Sequence, residues 1–423
     1  MTADPAGDAD AQLLHAFLLE AGRSLSLAGA AVNEIAERLS RIAVANGAGE
    51  ARVVVLPTAL MISTGPAGRA TIEAVPQLAA TMRLDQISVL YEIVRPAERR
   101  RVDLALALAR LRAIQSMTPR FGWVVGIAAH TAMTVGLCLI LQPTPGDVAI
   151  AAGLGAVVGV FVMFARGRQG LSVFVPVVAA MVVSAISFLA LREGLADPGL
   201  RTLIAPLITL LPGGVLTTAT VELASGEMVA GASRLMFGGL QLLLLAFGIL
   251  AGVELAGMPG TAVLHDEPAN LLGWWAPWLG VLVFGLAASF YFSAPRGTLR
   301  WLLPVLLVAW VGQLAGEHLV GAGVSGFFGA LAMTPLCLAI AELPGGPPSQ
   351  VTFLPAFWLL VPGAVGLIGL TEVVSNPAAA GVEDLIAPLA SIVSIALGVL
   401  CGASAFRALI QLGGSRSAVT RKG

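Results

Sequence analysis

The sequence predicts an all-α polytopic membrane protein with a small α/β domain at its N-terminus. Three observations lead there. The 423 residues are 57% hydrophobic and only 12% charged, about half the charged share of a soluble globular chain, and the mean hydropathy is +0.89. From Gly122 onward, apolar stretches of about 20 residues recur, the length that a bilayer core requires. Residues 1–120 lack such stretches and carry amphipathic helical and strand-like patterns instead.

In chain order, Val32, Ile35, Ala36, Leu39 and Ile42 repeat at helical spacing, and Asn46-Gly47 provides a stop. Arg52–Leu56 and Arg69–Val75 read as two strands around a Gly65-Pro66 turn. A further helix starting near Pro96 presents Leu104, Ala107, Leu108, Leu111 and Ile114 on one face. Together these give a cytosolic N-terminal domain, residues 1–120.

Ten membrane spans follow, at 122–142, 147–165, 171–191, 201–221, 233–254, 273–293, 300–316, 320–342, 350–373 and 385–411. Gly155 and Gly159 form a small-xxx-small pair suited to close helix packing, and Trp274, Trp275 and Trp278 form an interfacial belt at the start of the sixth span. Arg95, Arg99, Arg100, Arg101, Arg110, Arg112 and Arg120 precede the first span, and Arg166, Arg168, Arg296, Arg300, Arg416, Arg421 and Lys422 fall on the same side. By the positive-inside rule both termini are cytoplasmic; Arg192 and Arg201, flanking an external segment, run against it. The modules are then 121–256 and 273–412, each of five helices, joined by an external linker at 257–272 and followed by a tail at 413–423. Five is odd, so equivalent halves cross the membrane in opposite senses, as an inverted repeat.

Composition also excludes classes. A net charge of −1 offers no basic stripe for nucleic acid. Cys138, Cys337 and Cys401 show no CxxC or pairing pattern, so neither a metal site nor a disulfide framework is expected. No Walker P-loop, HExxH, GxSxG or acidic Mg²⁺ cluster is present, so the chain reads as neither an enzyme nor an ATP-driven pump. No cofactor is expected. The acidic start, Met1–Asp10, does not resemble a cleavable signal peptide.

Two hydrophobic spans are interrupted alike. Leu210-Leu211-Pro212-Gly213-Gly214 and Leu360-Val361-Pro362-Gly363-Ala364 stand 150 residues apart (362 − 212), and an acid follows ten residues after each proline, Glu222 (222 − 212) and Glu372 (372 − 362). Broken helices at corresponding positions of two halves point to a secondary transporter's binding site; structural kinks in a duplicated chain would give the same pattern. Pro212, Gly213, Gly214, Thr217, Thr218 and Thr220 of the first break, with Pro362, Gly363 and Thr371 of the second, are the candidate substrate residues. Half-helix termini there suit a zwitterion or small carboxylate. Glu222 and Glu372 are the candidate proton-coupling pair, and Arg234 a carboxylate partner or a loop anchor. His130, midway along the first span, reads as a hydrogen-bonded packing histidine ahead of a proton relay. Glu317-His318 reads as a loop pair.

The chain resembles the threonine/serine exporter family at three places. The run Arg23-Ser24-Leu25-Ser26-Leu27-Ala28-Gly29-Ala30 is similar to an opening helix of that family's cytosolic domain. Leu211-Pro212-Gly213-Gly214, then Glu222-Leu223-Ala224-Ser225-Gly226-Glu227 and Gly231-Ala232-Ser233-Arg234-Leu235, is similar to its signature, with glutamate where the family commonly has aspartate. Phe353–Gly363 is similar to its smaller C-terminal module. The resemblance covers roughly residues 12–411 and implies proton-driven export of threonine and serine across a bacterial inner membrane. Relatives with the modules on separate chains imply a second reading, dicarboxylates such as succinate. The third is a membrane sensor or scaffold. Protons, the small-molecule substrate and lipid are the expected partners, and a homo-oligomer is compatible with all three.

Overall fold

The computed structural model describes residues 5–64, 70–75, 82–141, 143–166, 168, 174–194, 200–258, 271–360, 367, 371 and 382–419. The chain divides into two compact units, one of residues 1–120 with 218–237, the other of 121–217 with 238–423.

In the first unit, α1 (Pro5–Leu27) and α2 (Val32–Ala45) precede a sheet of β1 (Arg52–Leu56), β2 (Ala59–Ser63) and β3 (Ala70–Ala74). The sheet is an antiparallel meander in the order β1-β2-β3, with Val54 opposite Met61 and Met61 opposite Ile72. Two helices, α3 (Leu84–Ala97) and α4 (Leu104–Ile114), complete the domain. Its core gathers Phe17, Leu18, Leu25, Ile35, Leu39, Ile42, Leu60, Ile62, Leu90 and Leu111, all fully buried. Gly22 lets α1 lie close against the sheet, because a Cβ there would stand 2.5 Å from a Leu60 methyl.

Three local expectations need correction. Strand β2 fills the stretch read as the way to a turn; Pro57-Thr58 makes a tight two-residue hairpin, and Leu60 and Ile62 point inward from it. The Gly65-Pro66 turn lies outside the described residues. Pro96 closes helix α3 in its last turn rather than opening a helix, and α4 starts at Asp103, whose carboxylate caps it by accepting the Ala105 N–H at 2.8 Å. The run 23–30 lies only in part in the opening helix: Arg23–Leu27 end α1, and the rest makes the turn at Gly29, where φ is +82°.

Also in this unit is the joint between α9 (Gly213–Ala224) and α10 (Met228–Leu255). Gly226, at φ +85°, makes that turn, and a Cβ at Gly231 would stand 2.7 Å from the Ala219 carbonyl oxygen, so the hairpin closes on glycine.

The second unit is helical: α5 (Trp123–Ile140), α6 (Pro145–Ala165), α7 (Phe174–Arg192), α8 (Leu200–Leu207), α11 (Trp275–Tyr291), α12 (Leu299–Val320), α13 (Ala322–Glu342), α14 (Ser349–Leu359) and α15 (Val382–Val419), with the membrane parts of α9 and α10. Among the described residues seven helices are long and apolar enough to cross a membrane, or eight if a bent pair counts as one span. The protein is therefore a multi-pass membrane protein, but ten spans are not resolved. The expected sixth span is the 17-residue α11, and the ninth is described continuously only to residue 360. Glu317-His318 belongs to the last turn of α12 rather than to a loop. Met236, Leu240, Leu243 and Phe247 are exposed along α10, a stripe that lipid would cover.

Glycine sets the closest crossings. Gly136 of α5 and Gly280 of α11 face each other, a Cβ on either reaching within 2.9 Å of the other's carbonyl oxygen. On α10, a Cβ at Gly248 would lie 2.5 Å from the Val177 oxygen and one at Gly252 2.4 Å from the Met181 oxygen. On α15, Gly398 stands in the same relation to Phe327 (2.4 Å) and Gly402 to Leu331 (3.0 Å). All four glycine–carbonyl members of the second pair are displaced from the first by one interval (398 − 248, 402 − 252, 327 − 177 and 331 − 181 are each 150). The flanking side chains follow it too: Ala180 and Ser184 in one place, Ala330 and Thr334 in the other.

Candidate functional site

Helix α8 runs through a short 3-10 turn, Ile208–Leu210, and stops at Leu211. Pro212 cannot donate to the preceding helix, and α9 restarts from it with the Leu216 N–H donating to the Pro212 carbonyl at 3.0 Å. The two halves bend by 59°. Pro212, Gly213 and Thr217 are buried there, while Thr218 and Thr220 are half-buried. A Cβ built at Gly214 meets nothing within 4 Å. Thr217 is 5% exposed, and its hydroxyl has no hydrogen-bond partner among the described residues. A buried hydroxyl left in that state costs about 1–3 kcal/mol, so its placement one turn after the break is chemically expensive.

The structure brings Glu222 and Arg234 together. Arg234 Nε lies 3.1 Å from Glu222 Oε2, a charge contact rather than an aligned hydrogen bond through those two atoms, and both residues are buried. The other carboxylate oxygen, Oε1, accepts the backbone N–H of Val32 at 3.0 Å. Val32 opens α2, whose preceding residue, Ala31, supplies no side-chain cap. Nearby, the Asn33 amide donates to Ser225 Oγ at 3.2 Å. Glu222 thus fixes the α9–α10 hairpin to the start of α2.

Of the second break, Pro362, Gly363 and Glu372 lie outside the described residues. Thr371 is fully buried and its hydroxyl donates to the Leu367 carbonyl at 2.7 Å.

A second polar group was not assembled from the sequence. His130 Nδ1 lies 2.9 Å from the Gly155 carbonyl oxygen and Nε2 lies 3.0 Å from Thr209 Oγ1. The His130 and Tyr291 rings lie 5.6 Å apart between centroids, and the Arg166 guanidinium sits over the Tyr291 ring at 5.3 Å. The available signal was rarity: Tyr291 is one of two tyrosines in the chain.

Comparison with known proteins locates this architecture. The model of a family described as "Putative threonine/serine exporter" matches residues 16–256, which contain most of the N-terminal domain's core, the first break, Glu222 and Arg234. The chain belongs to this threonine/serine exporter family. It is also similar to the Pheromone-regulated membrane protein 10 of Debaryomyces hansenii, 26% identical over 259 residues, which cover 58% of this chain and 25% of that protein. The chain thus spans about a quarter of the length of that relative. No solved structure matches the chain.

Proposed function

We propose that the protein is a secondary-active exporter of threonine and serine across a bacterial inner membrane, driven by protons, with both termini cytoplasmic. The observation that carries this reading is the break at Leu211-Pro212, with the buried Thr217 hydroxyl, unpartnered among the described residues, and the open side of Gly214 next to it. The first turn of α9 carries N–H groups that its own helix cannot pair, and that end of the helix attracts a carboxylate. Thr217, Thr218 and Thr220 then orient the ammonium or hydroxyl of the substrate. Glu222 and Glu372 are the acids of proton coupling, with Arg234 holding Glu222, and Pro362, Gly363 and Thr371 form the matching half of the site.

On this reading ten spans form two inverted five-helix modules, 121–256 and 273–412, around the external linker, with residues 1–120 in the cytoplasm. The constant interval of 150 residues supports it, since it relates the two breaks in sequence and the α7–α10 and α13–α15 crossings in space. Alternating access would rock one module against the other. Catalysis and cofactors have no part in it.

The test is efflux from cells loaded with a threonine-containing dipeptide, run beside cells loaded with succinate, each with and without an uncoupler. Threonine efflux that the uncoupler abolishes is the expected result. Succinate efflux alone moves the substrate to dicarboxylates. If neither moves from inserted protein, the exporter reading falls and a sensor or scaffold takes its place.

A further inference from the structure

We infer that the Leu210 carbonyl oxygen is the amino-group subsite of the first break, and that Gln241 is the positioning residue whose amide occupies it until substrate arrives. This rests on the amino-acid exporter reading above and names where the substrate's ammonium goes.

In an unbroken helix the Leu210 carbonyl would accept the N–H of Gly214, four residues on. Leu211 is extended instead, at φ −69° and ψ +133°, so the ladder ends there and the carbonyl is left over. Its partner comes from another helix. The side-chain amide of Gln241, on α10, donates to it through Nε2 at 2.7 Å. A carbonyl only accepts, so the amide nitrogen and not the amide oxygen must face it.

The sequence builds this approach. A Cβ at Gly238, one turn before Gln241, would stand 2.5 Å from a Leu216 methyl, so glycine lets α10 close on the start of α9. Leu242 and Leu245 share a core with Leu207 and Leu216. Leu210 and Gln241 themselves are only half-buried. The bond lies at the margin of that core, where a ligand can compete for it.

The electrostatics of the break say which ligand. The Leu210 carbonyl is at the negative end of the half-helix that stops there, a place that favours a cation. The positive end of α9 begins three residues on, at Gly213. A zwitterionic amino acid carries its two charges equally close together, so a carboxylate at the first turn of α9 brings its ammonium to the Leu210 oxygen. The Gln241 nitrogen, at hydrogen-bond distance from that oxygen, stands where the ammonium nitrogen would. The amide leaves as the ammonium arrives, and the carbonyl keeps a donor throughout. A dicarboxylate has no group to give that oxygen. One interval of 150 further on, at position 391, the chain has serine. The interval does not repeat the amide, as suits a ligand with a single ammonium.

The experiment uses the full chain in detergent. It measures the concentrations of threonine and of 3-hydroxybutyrate, which is threonine without its amino group, that give half of the ligand-induced rise in unfolding temperature. Gln241→Met and Gln241→Lys are compared with wild type. Methionine keeps the length but cannot donate, so the competitor is gone. Threonine should then bind about three- to tenfold more tightly, the net contribution of one hydrogen bond, with 3-hydroxybutyrate unchanged. Lysine tethers an ammonium at the subsite, so threonine should weaken and 3-hydroxybutyrate be spared. If Gln241 only caps the break, both ligands move together. A ratio of the two affinities that stays at the wild-type value, or moves the other way, would overturn the subsite and leave the exporter standing. A wild-type chain that threonine does not stabilise would sink the amino-acid reading, and this subsite with it. Should Gln241→Met not fold, Gln241→Lys, which keeps a donor for the carbonyl, decides by the same ratio.

Discussion

Glu222 caps a helix that begins 190 residues before it, its Oε1 accepting the Val32 backbone N–H at 3.0 Å while its Oε2 faces Arg234. A carboxylate at a helix N-terminus satisfies an orphan donor and complements the helix dipole. Glu222→Ala removes the cap, worth about 1 kcal/mol, and breaks the buried ion pair with Arg234, which costs about 3–5 kcal/mol. Glu222→Gln keeps an acceptor for Val32 and should lose less. Thermal unfolding of the purified chain should rank the variants wild type, Gln, Ala. The double variant Glu222→Leu with Arg234→Met should recover much of the loss, since a buried pair replaced by apolar groups is often neutral. An Ala variant as stable as wild type would refute the cap.

The paired crossings make a second prediction. Gly248, Gly252 and Gly398 each hold a carbonyl oxygen within 2.5 Å of where a Cβ would stand, whereas at Gly402 the distance is 3.0 Å. Overpacking costs about 1–3 kcal/mol, and backbone oxygen cannot swing aside as a side chain can. Alanine at the first three should destabilise the protein by similar amounts, and at Gly402 by less. Unfolding in detergent measures this. Equal loss at all four sites would mean that the interfaces adjust by helix shift instead.

Much of this arrangement was legible in the sequence, and the limits were physical. Proline and glycine announce a helix break by their own backbone chemistry, so Pro212-Gly213 could be read directly. The 150-residue interval was read from the breaks but not carried to Gly248 and Gly398, although both stand in the sequence at that interval. The pairing of Glu222 with Val32 could not be read, because a backbone donor has no side-chain signature. His130 and Thr209, 79 residues apart, meet only through packing. Strand β2 was missed because Pro57-Thr58 turns the chain in two residues, without the glycine or asparagine that usually marks so tight a hairpin.

The other tyrosine gives a pH prediction for the N-terminal domain. Tyr91 is fully buried, its hydroxyl 3.3 Å from Glu34 Oε1, with Arg38 over its ring at 5.0 Å. Burial first, and then the Glu34 charge, hold its pKa well above the ordinary 10.0, against the opposing pull of Arg38. Burial pushes Arg38 down, but Glu34, Tyr91 and Glu98 outweigh it and leave it above its ordinary value. The sign follows from Tyr91 being raised. The neutral phenol is kept in the folded state, so its contribution is fully present below about pH 10. It is lost as pH rises from there towards the folded-state value, because the unfolded chain releases its proton first. Stability against denaturant should fall above about pH 10, and Tyr91→Phe should flatten that part of the curve. An unchanged slope in the Phe variant would assign the fall to other groups.

Thr217 separates folding from transport most sharply. Its hydroxyl is buried without a partner among the described residues, so Thr217→Val replaces an unsatisfied polar group with a methyl of the same shape. That exchange should leave stability unchanged or raise it by about 1 kcal/mol. If the hydroxyl binds substrate, the same variant should export threonine more slowly. Gly214→Leu tests the space beside it: a Cβ there meets nothing within 4 Å, and the rest of the leucine should fill the site. Unfolding temperature and threonine efflux, measured on the same preparations, should move apart in both variants, with stability kept and flux lost. Flux at the wild-type rate in both would remove Thr217 and Gly214 from the substrate's path. A fall in stability that tracks the fall in flux would make the first turn of α9 a packing element and the break a structural kink.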